Sequence, residues 1–298
     1  MVGRSAVMSV IVSLRPEQWT KNLIVFAALV FARRLFDPAA VALALAAFLI
    51  FCGLSGAVYL VNDVSDQDAD RRHPRKSRRP VAAGTLSPAA ALAWAAAIGG
   101  AALGAAFWLD AGLGWVSAAY VALQALYSRL LKHLVILDVM AIAGGFVLRA
   151  VAGGEVIDVP VSDWLLVCTI LLALFLGLSK RRHELTLLAG GAGEHRRILE
   201  EYDPYLLDQM IAVVAASTLV AYIIYCLSPE TTARFGTHWL VLSVPFPIYG
   251  LFRYLYIVHR RDGGGSPSDA LLNDRPLLAC VALWGLTVVA VIYRPFGS

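Results

Sequence analysis

Apolar residues are gathered into long runs separated by polar connections, at approximately 20–36, 40–61, 88–109, 111–128, 134–153, 161–179, 209–228, 238–258 and 276–294. About 20 apolar residues carry an α-helix across a hydrocarbon core roughly 30 Å thick. Most of the runs approach or reach that length, and the first is short. An open sheet would leave backbone polar groups unsatisfied in lipid, and the runs are too long for barrel strands. The pattern predicts an all-α, multi-pass transmembrane helical bundle of about nine helices. Connections alternate in character: Asp110 alone separates the third and fourth runs, whereas the segments after the second and sixth are long and charged. No linker or shift in composition marks a boundary. Residues 1–298 therefore read as one integral membrane domain, with its chemistry expected on loops at 62–87 and 180–208.

Composition removes the soluble alternatives. Hydrophobic residues make up 59% and charged residues 15% of the 298-residue chain, against roughly 45–50% and 25% in globular proteins. Mean hydropathy is +0.70, which leaves too little polar surface to coat a soluble particle. Disorder, a coiled coil and a disulfide scaffold each need more charge or more cysteine. Cys52, Cys168, Cys226 and Cys280 lie far apart inside apolar runs, where thiols act as small hydrophobes. The N-terminus is only weakly apolar and shows no convincing cleavage site, so no cleaved signal peptide is expected.

The net charge is only +4, but its distribution is one-sided. Basic residues crowd the N-terminal segment and the even-numbered connections, whereas the other face holds only Arg33, Arg34, Arg234 and Arg294. The positive-inside rule places the N-terminus and the charged connections in the cytoplasm. An odd number of spans then puts the C-terminus on the opposite side of the cell's inner (plasma) membrane. The basic residues belong to helix ends at a membrane, and no nucleic-acid partner is expected; self-association is left open.

The richest stretch is Asn62-Asp63-Val-Ser-Asp66-Gln-Asp68-Ala-Asp70. On a continuing helix Asn62, Asp63, Asp66 and Asp70 share one stripe, and Asp68 points elsewhere. Carboxylates on one face repel unless a cation lies between them, and hard oxygen donors at partial coordination suit Mg²⁺, with Mn²⁺ as the alternative. The bland reading is a solvated acidic helix end. Directly after it come Arg71, Arg72, His73, Arg75, Lys76, Arg78 and Arg79. Alone, that run is topogenic or binds lipid headgroups; beside the acids it suits a metal-bound, multiply phosphorylated substrate.

Further charge lies at Tyr127, Lys132 and His133 after the fourth run and at Lys180-Arg181-Arg182-His183-Glu184 after the sixth. Lys180 and Glu184 are spaced i,i+4 and read equally as a helix salt bridge. Asp138 and Arg149 lie inside the fifth run, where unpaired charge is costly. They are expected to line a polar cavity or to form structural ion pairs between helices.

Asn62-Asp63-x-x-Asp66-x-x-x-Asp70 after the second of about nine spans resembles the UbiA superfamily of intramembrane prenyltransferases, over essentially the whole chain. The resemblance implies a UbiA-like bundle that binds a Mg²⁺–diphosphate substrate at this motif. Aromatic-ring prenyltransferases of the superfamily carry a second acidic motif where this chain has Ser179-Lys180-Arg181-Arg182-His183-Glu184. That basic replacement resembles the decaprenyl-phosphate phosphoribosyltransferase branch. So do Arg15-Pro16-x-Gln18-Trp19-x-Lys21-Asn22, His73-Pro74-x-Lys76-x-x-Arg79-Pro80, Leu131-Lys132-His133 and Arg149-Ala-x-Ala-Gly153-Gly154.

The implied activity is transfer of 5-phosphoribose from phosphoribosyl diphosphate (PRPP) to a polyprenyl phosphate, with release of diphosphate, as in cell-wall precursor synthesis. Asp63, Asp66 and Asp70, assisted by Asn62, would hold the metal. Lys21, Lys76, Arg79, Tyr127, Lys132, His133, Arg149, Lys180, Arg181 and Glu184 are the candidate substrate-binding residues. Two rivals stand beside this reading. One is a UbiA-type transfer of a polyprenyl group from its diphosphate to an aromatic or quinone-precursor acceptor. The other is a transporter, disfavoured because charge gathers at helix ends and not at the midplane. The glycine-and-arginine-spaced motif of CDP-alcohol phosphotransferases is absent from the sequence.

Overall fold

A computed structural model describes residues 6–72, 76–189, 201–260 and 267–293. His73, Arg75 and much of the loop expected at 180–208 lie outside the described residues. The helices are α1 (Ala6–Ser13), α2 (Phe26–Phe31), α3 (Pro38–Ser65), α4 (Gln67–Arg72), α5 (Pro88–Leu109), α6 (Ala111–Arg129), α7 (Leu137–Glu155), α8 (Asp163–Ala189), α9 (Pro204–Leu227), α10 (Pro229–Phe235), α11 (Pro245–Arg260), α12 (Pro267–Asn273) and α13 (Arg275–Tyr293). Among the described residues there is no strand.

Capping chemistry written into the sequence starts many of these helices. Asp37, Ser87, Asp203 and Ser228 each precede a proline at the first helical position and accept a hydrogen bond from a backbone N–H of the first turn. Proline there gives up only an N–H that has no partner within the helix. Asp110 ends α5 and caps α6 through the Leu113 N–H at 2.7 Å, so one residue turns the chain.

Seven described segments are long and apolar enough to cross a membrane: Pro38–Ser65, Pro88–Leu109, Leu137–Glu155, Asp163–Thr186, Pro204–Leu227, Trp239–Arg260 and Arg275–Tyr293. The expected count of nine is not reached on that criterion, for two different reasons. α6 forms over the expected residues, but Ser117, Gln124, Ser128 and Arg129 lower its apolar character. The run at 20–36 is not one helix at all. Arg15 takes a left-handed conformation (φ 52°), Pro16 starts a 3-10 segment through Val25, and α2 ends at Phe31. Proline cannot continue an α-helix from α1, and it restricts the residue before it.

The 3-10 segment is seated against α7. A Cβ built on Gly153 would lie 2.0 Å from the Val25 carbonyl oxygen, so only glycine allows this approach. Small residues similarly set α3 against α5. A Cβ on Gly53 would meet that of Ala102, and one on Gly99 that of Ala57, each at 3.2 Å. Close backbone approach through small residues is the usual way helices associate in lipid, where apolar burial drives little. One core gathers Val25, Leu29, Ala47, Phe51, Leu113 and Tyr120, and another gathers Phe175, Leu178, Leu207, Ile211, Tyr254 and Leu277. All four cysteines are free thiols. Phe36, Trp108 and Trp115 are exposed at the end of the bundle opposite the acidic motif, as in an interfacial aromatic belt.

Gly153→Ala is expected to cost about 1–3 kcal/mol through overpacking. In detergent it should lower Tm by a few degrees, whereas Gly100→Ala, which meets nothing within 4 Å, should not lower it.

Candidate active site

α3 runs to Ser65, and the chain then turns into α4, so the acidic stripe straddles a helix junction. Asp66 closes α3 through its N–H to the Asn62 carbonyl, and the Asp70 N–H bonds the Asp66 carbonyl in turn. The stripe therefore keeps its helical register across the break. Asp63 and Asp70 are buried, and Asp68 is 90% exposed beside Arg71, as the helical spacing predicts.

Basic groups from three other segments reach these acids. Arg15 donates to Asp63 Oδ1. Arg79 Nη1 reaches both Asp63 Oδ1 at 3.3 Å and Asp70 Oδ2 at 2.5 Å. Lys132 Nζ lies 3.3 Å from Asp66 Oδ1. The Asn62 side-chain oxygen accepts from Ser128 Oγ at 2.8 Å. Asp63 Oδ2 is buried and has no hydrogen-bond partner among the described residues. Among those residues no three His, Cys, Asp or Glu side chains form a metal-sized cluster, because Arg79 sits between Asp63 and Asp70.

The second basic motif lies on α8, not on a loop. Arg181 is 1% exposed, and its three guanidinium nitrogens are all engaged. Nε donates to Asp138 Oδ2 at 2.7 Å, Nη1 to Glu184 Oε2 at 2.6 Å and Nη2 to the Tyr127 hydroxyl at 3.3 Å. Tyr202 completes the clasp by donating to Asp138 Oδ1 at 2.9 Å and accepting from the Ile136 N–H at 2.7 Å. Burial pushes the Tyr202 phenol up to about 12, so it remains a protonated donor at neutral pH. Ile136 has φ 69°, and the Leu137 N–H closes a tight turn onto the Val135 carbonyl at 2.8 Å. A β-branched residue is strained there and needs such surroundings to hold it.

Asp138 and Arg149 thus have different partners. They lie eleven residues apart on α7, about 16 Å along the axis. Arg149 is also buried. Its Nε donates to Asn22 Oδ1 at 2.7 Å, Nη1 to the Gly145 carbonyl at 2.8 Å and Nη2 to the Tyr120 hydroxyl at 2.8 Å. Asn22 in turn bonds Cys52 and Ser55 on α3.

Among the other expected residues, Lys180 lies 3.8 Å from Glu184 Oε1 in the predicted i,i+4 pair, Lys76 is half-buried and His133 is exposed. Arg15 and Tyr202 were not among the expected site residues. The Arg15-Pro16 step, a cation where proline must end a helix, is a usable signal for the first. Nothing in the local sequence marks Tyr202.

The bundle and its one-sided charge define an all-helical, multi-pass membrane protein with an acid–base site at one end. The chain belongs to the UbiA prenyltransferase family, whose profile matches residues 22–273. A decaprenyl-phosphate phosphoribosyltransferase of Mycolicibacterium smegmatis is 35% identical, over 97% of this chain and 94% of its own length. That of Corynebacterium glutamicum is 34% identical, over 94% and 86% respectively. The structure of a UbiA homolog from Archaeoglobus fulgidus bound to DMAPP and Mg²⁺ superposes with a TM-score of 0.73, covering 95% of this chain and 99% of that one. At 18% identity that likeness is one of fold.

Removing one partner of the buried Asp138–Arg181 pair should cost about 3–5 kcal/mol. Asp138→Asn is expected to lower Tm clearly in detergent. Adding Arg181→Met should recover part of the loss, as a double-mutant cycle would show.

Proposed function

We propose that this protein transfers 5-phosphoribose from PRPP to a polyprenyl phosphate, releasing diphosphate. The observation that carries the reading is the interleaving of Asp63, Asp66 and Asp70 with Arg15, Arg79 and Lys132, beside a basic second motif on α8. Two anionic substrates must approach within bonding distance, and that demands more positive charge than a metal ion alone supplies. The two relatives of this name, at 34–35% identity across most of both chains, support the same reading.

Asp63, Asp66 and Asp70 with the Asn62 side-chain oxygen are the donors that would hold Mg²⁺. They fit, because all are hard oxygen donors and Asp63 Oδ2 is buried without a partner. Mn²⁺ would be served by the same donors. When bound, the ion neutralises charge on the diphosphate leaving group.

The chain's own side chains do the rest. Arg79 and Lys132, paired with Asp63, Asp70 and Asp66, would exchange carboxylate oxygens for phosphate oxygens as substrate enters. Lys76 and Lys180 would add positive charge around the second substrate, and His133 would offer a ring N–H to its phosphate. Arg181 acts from within the clasp, orienting Tyr127 and Glu184. The acceptor phosphate is already ionised near neutral pH, so its oxygen attacks C1 of the ribose without a strong general base. Residues 1–298 act as one membrane domain, with the site at the inner, cytoplasmic face of the plasma membrane. The excess of basic residues at that end supports this orientation, with the N-terminus inside and the C-terminus outside.

Membranes containing the protein should transfer label from PRPP into lipid when given Mg²⁺ and a polyprenyl phosphate. Chelation should abolish transfer, and Asp66→Ala should reduce it by about 10²-fold or more. Turnover of a prenyl diphosphate with an aromatic acid instead would overturn the reading. Lys180→Ala should raise KM for one phosphate substrate; unchanged kinetics would leave Lys180 as an anchor.

A further inference from the structure

The connection between α6 and α7 is fastened on two sides. Toward the acids, Ser128 Oγ donates to Asn62 Oδ1 at 2.8 Å, and Lys132 Nζ lies 3.3 Å from Asp66 Oδ1. Toward α8, the Tyr127 hydroxyl accepts from Arg181 Nη2 at 3.3 Å, and the Ile136 N–H donates to the Tyr202 hydroxyl at 2.7 Å. Residues 127–136 therefore bridge the acidic motif and the buried clasp.

Two tight turns follow each other inside this bridge. A 3-10 turn over Leu131–His133 carries Lys132, with the Leu134 N–H on the Leu131 carbonyl at 3.1 Å. Next, Ile136 takes φ 69° and ψ −47°, and the Leu137 N–H returns to the Val135 carbonyl at 2.8 Å. Those angles and that i→i+2 bond define the rare, strained form of γ-turn. A β-branched residue stays there only where its surroundings over-determine it, and such strain gathers at functional sites.

The surroundings can be named. The Ile136 carbonyl accepts from the N–H groups of Val139 and Met140 and so belongs to the first turn of α7. Its N–H belongs to Tyr202, which is 4% exposed and stands two residues ahead of α9. The same hydroxyl donates to Asp138 Oδ1 at 2.9 Å, while Arg181 holds the other carboxylate oxygen. Donation to a fixed carboxylate orients the phenol, so its lone pair is presented to one backbone N–H. An ordinary α-region φ of about −60° would rotate the chain at Ile136 by about 130°. α7 is packed against α6 and α8 and cannot follow such a rotation, so the displacement would fall on residues 131–135.

We infer that Tyr202 is a positioning residue for the transfer reaction: it holds the Ile136 turn and thereby sets Lys132 against Asp66. The kinetic part of this inference rests on the proposed transferase reading, whereas the placement of Lys132 does not. If Tyr202 merely satisfied Asp138, its loss would lower stability and leave the kinetics of the folded protein unchanged.

In folded, detergent-purified protein, Tyr202→Phe should lower kcat/KM by about tenfold or more, for the same substrate that Lys132→Met affects. Added to Lys132→Met, it should change kcat/KM by less than about twofold, because the residue it positions is gone. Without substrate, a water-soluble N-hydroxysuccinimide ester should acetylate Lys132 about fivefold faster in Tyr202→Phe than in the unaltered protein. Mass spectrometry reads this rate, with Lys76 as the internal reference. A loss of Tm with kcat/KM within about twofold, losses that multiply in the double variant, or unchanged acetylation of Lys132 would each overturn the inference. Ile136→Gly guards against a variant that fails to fold, since glycine takes a positive φ without strain. Tyr202→Phe combined with Ile136→Gly should fold and recover most of the transfer; a combination as impaired as Tyr202→Phe alone also overturns the inference. If the unaltered protein transfers no phosphoribose, the transferase reading falls, and acetylation alone decides whether Tyr202 places Lys132.

Discussion

The cost of holding ionised groups inside an apolar bundle governs how this protein is put together. Lipid offers no water to solvate a stray charge, so each buried ion requires a partner or strong hydrogen bonds. Arg181 shows the consequence most fully. Its guanidinium joins α8 to Asp138 on α7 and to Tyr127 on α6, and Tyr202 fastens the chain just before α9 to the same carboxylate. Four parts of the fold meet at one cation. The strained turn at Ile136 is held by the same clasp, because its N–H donates to Tyr202.

The same constraint shapes the site. Asp63 and Asp70 are buried, and they are tolerable because Arg15 and Arg79 arrive from other segments to face them. Under the proposed reaction the acids would suit a divalent ion and the bases phosphate, so a phosphorylated substrate with its metal would replace one set of partners by another and keep the charge balance of the interior. Arg149 departs from this pattern, since the groups that satisfy it are neutral.

Much of this was legible in the chain as written. Spans 40–61, 88–109, 134–153, 161–179, 209–228 and 276–294 correspond to α3, α5, α7, α8, α9 and α13, because long apolar runs in lipid have little choice but helix. Asp68 was separable from its acidic neighbours by 3.6-residue periodicity alone. The run at 20–36 was misleading, because hydropathy is blind to the break that Pro16 imposes and to the 3-10 path that follows. The charges of α7 could be recognised as costly, but their partners could not be found in sequence. Asp138 meets Arg181 from forty-three residues away, and Arg149 meets Asn22 from one hundred and twenty-seven.

The sequence by itself determined which segments enter the membrane, which end of the bundle carries the charge, and which acids share a face. Those properties depend on local periodicity and on transfer from water to lipid, and both are set residue by residue. Tertiary structure alone decided the pairings: Arg15 and Arg79 with Asp63, Lys132 with Asp66, and Arg181 with Asp138. Pairing depends on which helices lie side by side. In this bundle that is set by close approaches such as Val25 on Gly153 and Ala102 on Gly53, where a side chain is missing and two backbones can meet.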